Sequence, residues 1–130
     1  GEMLHVINYA KSIDGHEWRR EGIAVPYELG RAQAFSRPTV AQGANGEYEM
    51  WFSYRSGSGQ TYRIGYATSW NGRDWRLAPE DAGIDVSEGG WDSEMIEYPY
   101  VFDHDGQRYM LYNGNGYGKT GFGLAILEQD

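Results

Sequence analysis

One stretch of this chain occurs twice, and that repeat limits the possible folds more than any other feature. Residues 7–18 read Ile-Asn-Tyr-Ala-Lys-Ser-Ile-Asp-Gly-His-Glu-Trp, and 57 residues on, residues 64–75 read Ile-Gly-Tyr-Ala-Thr-Ser-Trp-Asn-Gly-Arg-Asp-Trp. Asp14-Gly15 and Asn71-Gly72 sit in register, and both are dipeptides that accept the positive φ of a tight hairpin turn. A shortened third copy, Phe122-Gly123-Leu124-Ala125, lies 58 residues beyond the second. A second element repeats at a spacing of 61. Arg37-Pro38-Thr39-Val40 leads across Asn45-Gly46 to Tyr48–Tyr54, and Tyr98-Pro99-Tyr100-Val101 leads across Asp105-Gly106 to 108–112. Each reads as a hairpin with an aromatic second strand.

The two repeats together define a unit of about 58 residues with four strands: A from Pro38, B over 47–55, C over 61–70 and D from Asp74. Four-stranded units recurring every 40 to 60 residues are the signature of a β-propeller. The expected fold class is all-β, one domain over 1–130 built of propeller blades. Residues 1–25 form a partial blade, 37–78 a full one and 98–130 a partial one, a little over two blades in all. Residues 26–36 and 77–97 read as linkers. The second contains Glu80, Asp81, Asp85, Glu88, Asp92, Glu94 and Glu97 and no lysine or arginine.

Composition removes several classes of function. Without cysteine there is no disulfide framework, thiolate zinc site, iron–sulfur cluster or thiol nucleophile. A net charge of -8 repels phosphate backbones, so nucleic acid is not an expected partner. No apolar run is long enough to span a membrane, and no charged-then-apolar segment opens the chain. A soluble, cytoplasmic protein is the default expectation. His5, His16 and His104 are scattered, and Asp103-His104-Asp105-Gly106 reads as a hairpin turn rather than a calcium loop. Gly114-Asn115-Gly116-Tyr117-Gly118 has no following helix on which a dinucleotide could sit, and no Gly-x-Ser-x-Gly is present. Neither a metal nor a cofactor is expected. Trp18 and Trp75 occupy the same place in two units, which argues for packing between sheets. Five tryptophans and eleven tyrosines also supply the flat surfaces on which sugars stack.

In a propeller the residues just before each A strand converge on the central axis. Here they are Ser36 and Arg37 in one unit, Glu97 and Tyr98 in the next. A carboxylate enclosed beside aromatic rings has a raised pKa and can act as a general acid. A salt bridge from Glu97 to an arginine would lower that pKa and make the group structural.

The segments Arg37-Pro38-Thr39-Val40, Ile64-Gly65-Tyr66-Ala67-Thr68-Ser69, Trp91-Asp92-Ser93-Glu94-Met95-Ile96-Glu97-Tyr98-Pro99 and the stretches 112–118 and 121–125 resemble the five-bladed β-propeller glycosidase superfamily of arabinanases, fructosidases and mannoside phosphorylases. The resemblance runs over nearly the whole chain and implies a truncated or partial member. It implies that Glu97, in the Glu-x-Pro motif, is the general acid. Arg37, Trp91, Asp92, Tyr98 and Asn113 would then bind a carbohydrate or glycoside. Arg37 stands where the superfamily has an aspartate, and no segment matches the strand that supplies its nucleophile or base. Asp92 and Glu94 are the candidates for a second carboxylate. Three readings follow: a glycoside hydrolase or phosphorylase, a non-catalytic sugar-binding or oligomer-forming module derived from one, and a fragment of a longer enzyme. Blades lacking strands at either end expose sheet edges, so a homodimer or higher homo-oligomer is expected.

Overall fold

A computed structural model describes residues 2–59 and 61–128. It is all-β, with nine strands in three successive antiparallel sheets. β1 (Asn8–Lys11) pairs with β2 (Arg19–Ile23). β3 (Ser36–Gln42), β4 (Tyr48–Tyr54), β5 (Arg63–Ser69) and β6 (Arg76–Leu77) form a four-stranded meander. β7 (Glu97–His104), β8 (Gln107–Asn113) and β9 (Phe122–Ile126) form a three-stranded one. The only helical pieces among the described residues are single turns at Pro79–Ala82 and Asn115–Gly118. No helix is long and apolar enough to cross a membrane.

The long repeat recurs atom by atom. In the first copy the Ser12 hydroxyl accepts the Gly15 N–H at 2.9 Å, and Asp14 Oδ1 accepts the N–H groups of His16 and Glu17 at 2.8 and 3.0 Å. In the second, Ser69 accepts from Gly72 at 2.9 Å and Asn71 Oδ1 from Arg73 and Asp74 at 2.8 and 2.9 Å. Each tryptophan then donates back to its turn glycine's carbonyl, Trp18 to Gly15 at 3.2 Å and Trp75 to Gly72 at 3.1 Å. The Asp-Gly and Asn-Gly pairs are thus parts of wider loops closed by short polar side chains, not two-residue hairpins. Between β7 and β8, Asp105 and Gly106 do form a tight turn, both at positive φ.

β4 is buried on both faces, which explains its unbroken apolar run where a half-exposed strand would alternate. Met50 and Phe52 face a core with Ile7, Val25, Phe35, Ala67 and Trp75. Trp51 faces a second core with Ile64, Ile96, Val101 and Met110. The second interface is closed at its rim by Arg108, which donates to Glu49 at 2.6 Å, to Asp103 at 2.8 Å and to the Gln42 carbonyl at 2.8 Å.

Two expectations need correction. Trp75 is 8 % exposed and packs in the first core, but Trp18 is 62 % exposed. The local clamp is the same in both; what differs is that no other sheet among the described residues covers the indole of Trp18. Equivalence in the repeat fixes the hydrogen bond, not the burial. Residues 26–36 are also more than a linker. Ala32, Gln33, Ala34 and Phe35 are buried, and Phe35 meets Phe52 edge-on at 5.0 Å.

Candidate functional site

Ser36-Arg37-Pro38 at the start of β3 and Glu97-Tyr98-Pro99 at the start of β7 share one backbone irregularity. Ser36 opposes Ser53 and Glu97 opposes Asn113, and in both ladders the register shifts before the next pair. At the shift Arg37 has φ 48° and Tyr98 φ 54°. Positive φ is costly for bulky side chains, roughly 1 to 3 kcal/mol each, and tends to occur where surrounding structure demands it. The demand is visible at Tyr98, whose N–H is held at 2.7 Å by the hydroxyl of Ser53, itself fully buried. Further along β7, Val101 donates to the Thr39 hydroxyl at 3.2 Å. The second sheet therefore fixes the strand that carries Glu97.

Glu97 is fully buried, and neither carboxylate oxygen has a hydrogen-bond partner among the described residues. Burial pushes its pKa up from the usual 4.5 to about 7, while Arg37 pulls weakly the other way. No ion pair joins the two; the Arg37 guanidinium lies instead over the Tyr98 ring, 4.8 Å from its centroid. The salt-bridged alternative, with a lowered pKa, is not what the structure has. A buried carboxyl that is about half protonated near neutrality can both donate and accept a proton.

The aromatic neighbours extend further than Tyr98. Tyr117 lies 6.4 Å from Tyr98 and 6.1 Å from Tyr62, and Arg55 sits over Tyr62 at 5.3 Å. Tyr117 is exposed and strained at φ 61°. Tyr62, Tyr117, Ser53 and Arg55 were not expected from the sequence. The only available signal was the positive-φ potential of the Gly-rich stretch around Tyr117.

The other expected site residues divide. Asn113 is brought to Glu97, as its direct cross-strand partner. Trp91 and Asp92 make their contacts elsewhere. Trp91 stacks on Tyr112 at 5.5 Å and lies flat against Gly114 and Gly123, where an added Cβ would come within 2.4 and 2.5 Å of the indole. Asp92 is buried and accepts from the Tyr112 hydroxyl at 3.0 Å; burial of that phenol, helped by the Asp92 bond, pushes it up to about 12. The pair anchors the acidic segment. Asn115 completes the anchor: its Oδ1 accepts from Glu94 and Met95 at 2.8 and 3.1 Å, just ahead of Glu97. The Gly114–Gly118 stretch is thus the buttress that sets the height of the site. Glu94 is tied through its carbonyl to Arg63 and Thr61, both at 2.9 Å.

No family model matches the chain. In the solved structures, Zg3597, a family 117 glycoside hydrolase from the marine bacterium Zobellia galactanivorans, superposes with a TM-score of 0.77 at 22% identity, covering 94% of this chain and 38% of that one. The fold is shared with a glycoside hydrolase. A second structure described as a glycoside hydrolase gives a TM-score of 0.62 at 19% identity, over 93% of this chain and 34% of its own. In sequence, uncharacterized proteins from two strains of Mycobacterium tuberculosis, CDC 1551 / Oshkosh and ATCC 25618 / H37Rv, are each 52% identical over 128 residues. This chain spans 98% of itself and 42% of each of those relatives. The structural likeness establishes a glycosidase-like all-β fold.

Proposed function

We propose that the chain carries the general-acid half of a propeller glycosidase site, with Glu97 as the proton donor to a departing sugar oxygen. The observation that carries this is the fully buried, unpartnered Glu97 carboxyl with a pKa of about 7, at the strained start of β7 and next in the chain to Tyr98. Its position matches the Glu-x-Pro motif, and the fold shared with glycoside hydrolases supports the reading. Asn113 and Tyr98 would orient the sugar, with Arg37 on a hydroxyl or an anionic group. Hydrolysis or phosphorolysis across a glycosidic bond takes two carboxyl groups, commonly about 5 to 9.5 Å apart. Of the two candidates for the second, Asp92 accepts from the Tyr112 hydroxyl and Glu94 is held through its backbone carbonyl, which leaves its carboxylate available.

A general acid must be protonated to act. The rate against a panel of aryl glycosides is therefore expected to be flat at low pH and to fall about tenfold per unit above a pKa near 7. A rate that rises through pH 7 would mean that Glu97 is not the acid. A second reading, a sugar-binding module without turnover, is favoured by Ser36 and Arg37 standing at the place that Glu97 and Tyr98 hold in the next sheet. Binding without release across the same panel would select it.

Association of chains belongs to the same proposal. Along β9, the edge strand of its sheet among the described residues, Phe122, Leu124 and Ile126 alternate on one exposed side. Such an edge is a natural template for pairing. A dimer is expected by light scattering at micromolar concentration, and a compact monomer would refute it.

A further inference from the structure

The tyrosine row that starts at Tyr98, the residue after Glu97, is capped at each end by an arginine. Arg37 lies over Tyr98, Tyr117 bridges Tyr98 and Tyr62, and Arg55 lies over Tyr62. Among the described residues four of the nine arginines, Arg19, Arg31, Arg63 and Arg108, hold a carboxylate. Arg73 donates to the carbonyls of Ile23 and Glu21, and Arg76 to the Thr68 hydroxyl. Neither Arg37 nor Arg55 holds a carboxylate among the described residues. Arg55 donates to the Ser56 carbonyl and the Met3 sulfur, which fixes its orientation without neutralising it. A guanidinium already stacked on a ring loses little freedom when it grips a planar anion. The ring between the two caps, Tyr117, is exposed and held in a strained backbone conformation, as recognition surfaces often are.

We propose that this row binds an acidic oligosaccharide, with sugar faces on Tyr98 and Tyr117 and its carboxylate or sulfate groups on Arg37 and Arg55. The inference rests on the glycosidase-like reading and names its substrate class. Tyr62 is buried behind the row, so Tyr98 and Tyr117 are the rings open to sugar faces, and the charges at the two ends select a ligand with anionic groups on separate residues. A polyanion such as nucleic acid is repelled by the net charge of -8, whereas a short glycan with a few charges meets only the local pair. Arginine reads carboxylate and sulfate alike, because both offer two oxygens to its fork.

The test is calorimetric titration of the whole chain with matched pairs: oligogalacturonate against its methyl ester, and a sulfated galacto-oligosaccharide against its desulfated form. Tighter binding of one or both charged forms, by tenfold or more, is expected, and the pair that shows it identifies the anion. Arg55→Gln and Arg37→Gln are each expected to reduce that preference at least fivefold, and Tyr117→Ala to weaken both members of a pair. Equal or tighter binding of the uncharged members, or a preference untouched by both arginine variants, would overturn the acidic-ligand inference while leaving the glycosidase-like reading intact. Binding of no glycan at all would overturn both.

Discussion

Glu97→Gln is expected to lower glycoside turnover by 10² to 10⁴-fold while leaving the protein at least as stable at pH 8 as the wild type. The substitution keeps the shape and removes the transferable proton. The stability half follows from linkage. The folded pKa of Glu97, about 7, lies above its ordinary 4.5, so its contribution is full below pH 4.5 and is lost as pH rises toward and through 7. The loss is at most roughly 3 kcal/mol and levels off above pH 8. The variant lacks this titration, so its urea midpoint should change less between pH 5 and 8. No carboxylate oxygen of Glu97 is holding a partner, so no partner is stranded by the change. A variant that unfolds more easily at pH 8 would show Glu97 to be a structural group, and one that keeps full activity would remove it from the chemistry.

Trp75→Ala is expected to cost roughly 3 to 5 kcal/mol, as truncation of a buried aromatic usually does. For a domain of this size that is a large part of the total stability. Its repeat counterpart is the control. Trp18→Ala loses the same Nε1–H to carbonyl bond but an indole that is 62 % exposed, and should cost less than about 1 kcal/mol. Chemical denaturation of the two variants side by side checks both numbers. Similar costs would mean that the clamp, not the core, accounts for the stabilisation.

The sheets were legible because their strands carry a periodic signal that survives reading one residue at a time. Ile64 to Ser69 and Phe122 to Ile126 both form the third strand of a meander, as their shared pattern implies. Phe35 is hidden in sequence because its neighbours 32–34 are small or polar, and nothing local announces that the turn folds against Phe52. Glu97 and Arg37 were legible through their prolines. The rest of the site was not, since Tyr62 and Tyr117 reach Tyr98 only through the inter-sheet packing. Trp91 looked like a sugar platform in sequence, but the two glycines that lie flat against it stand more than twenty residues away. Aromatic residue type signals that a flat face will be used, not what will lie on it.

The loop clamps have a further consequence, for the order in which the chain assembles. Ser12, Asp14 and Trp18 close their loop entirely within three residues of one another's partners, and Ser69, Asn71 and Trp75 do the same. Such closures are fast, because little chain entropy is lost in forming them. The bond from Arg108 to Glu49 spans 59 residues and can form only after two sheets have met. The hairpins, each stapled at its own tip, are therefore expected to form before they dock on one another. Glu97 becomes enclosed only as the sheets dock, so the carboxyl acquires its raised pKa when the second and third sheets close on each other and not before.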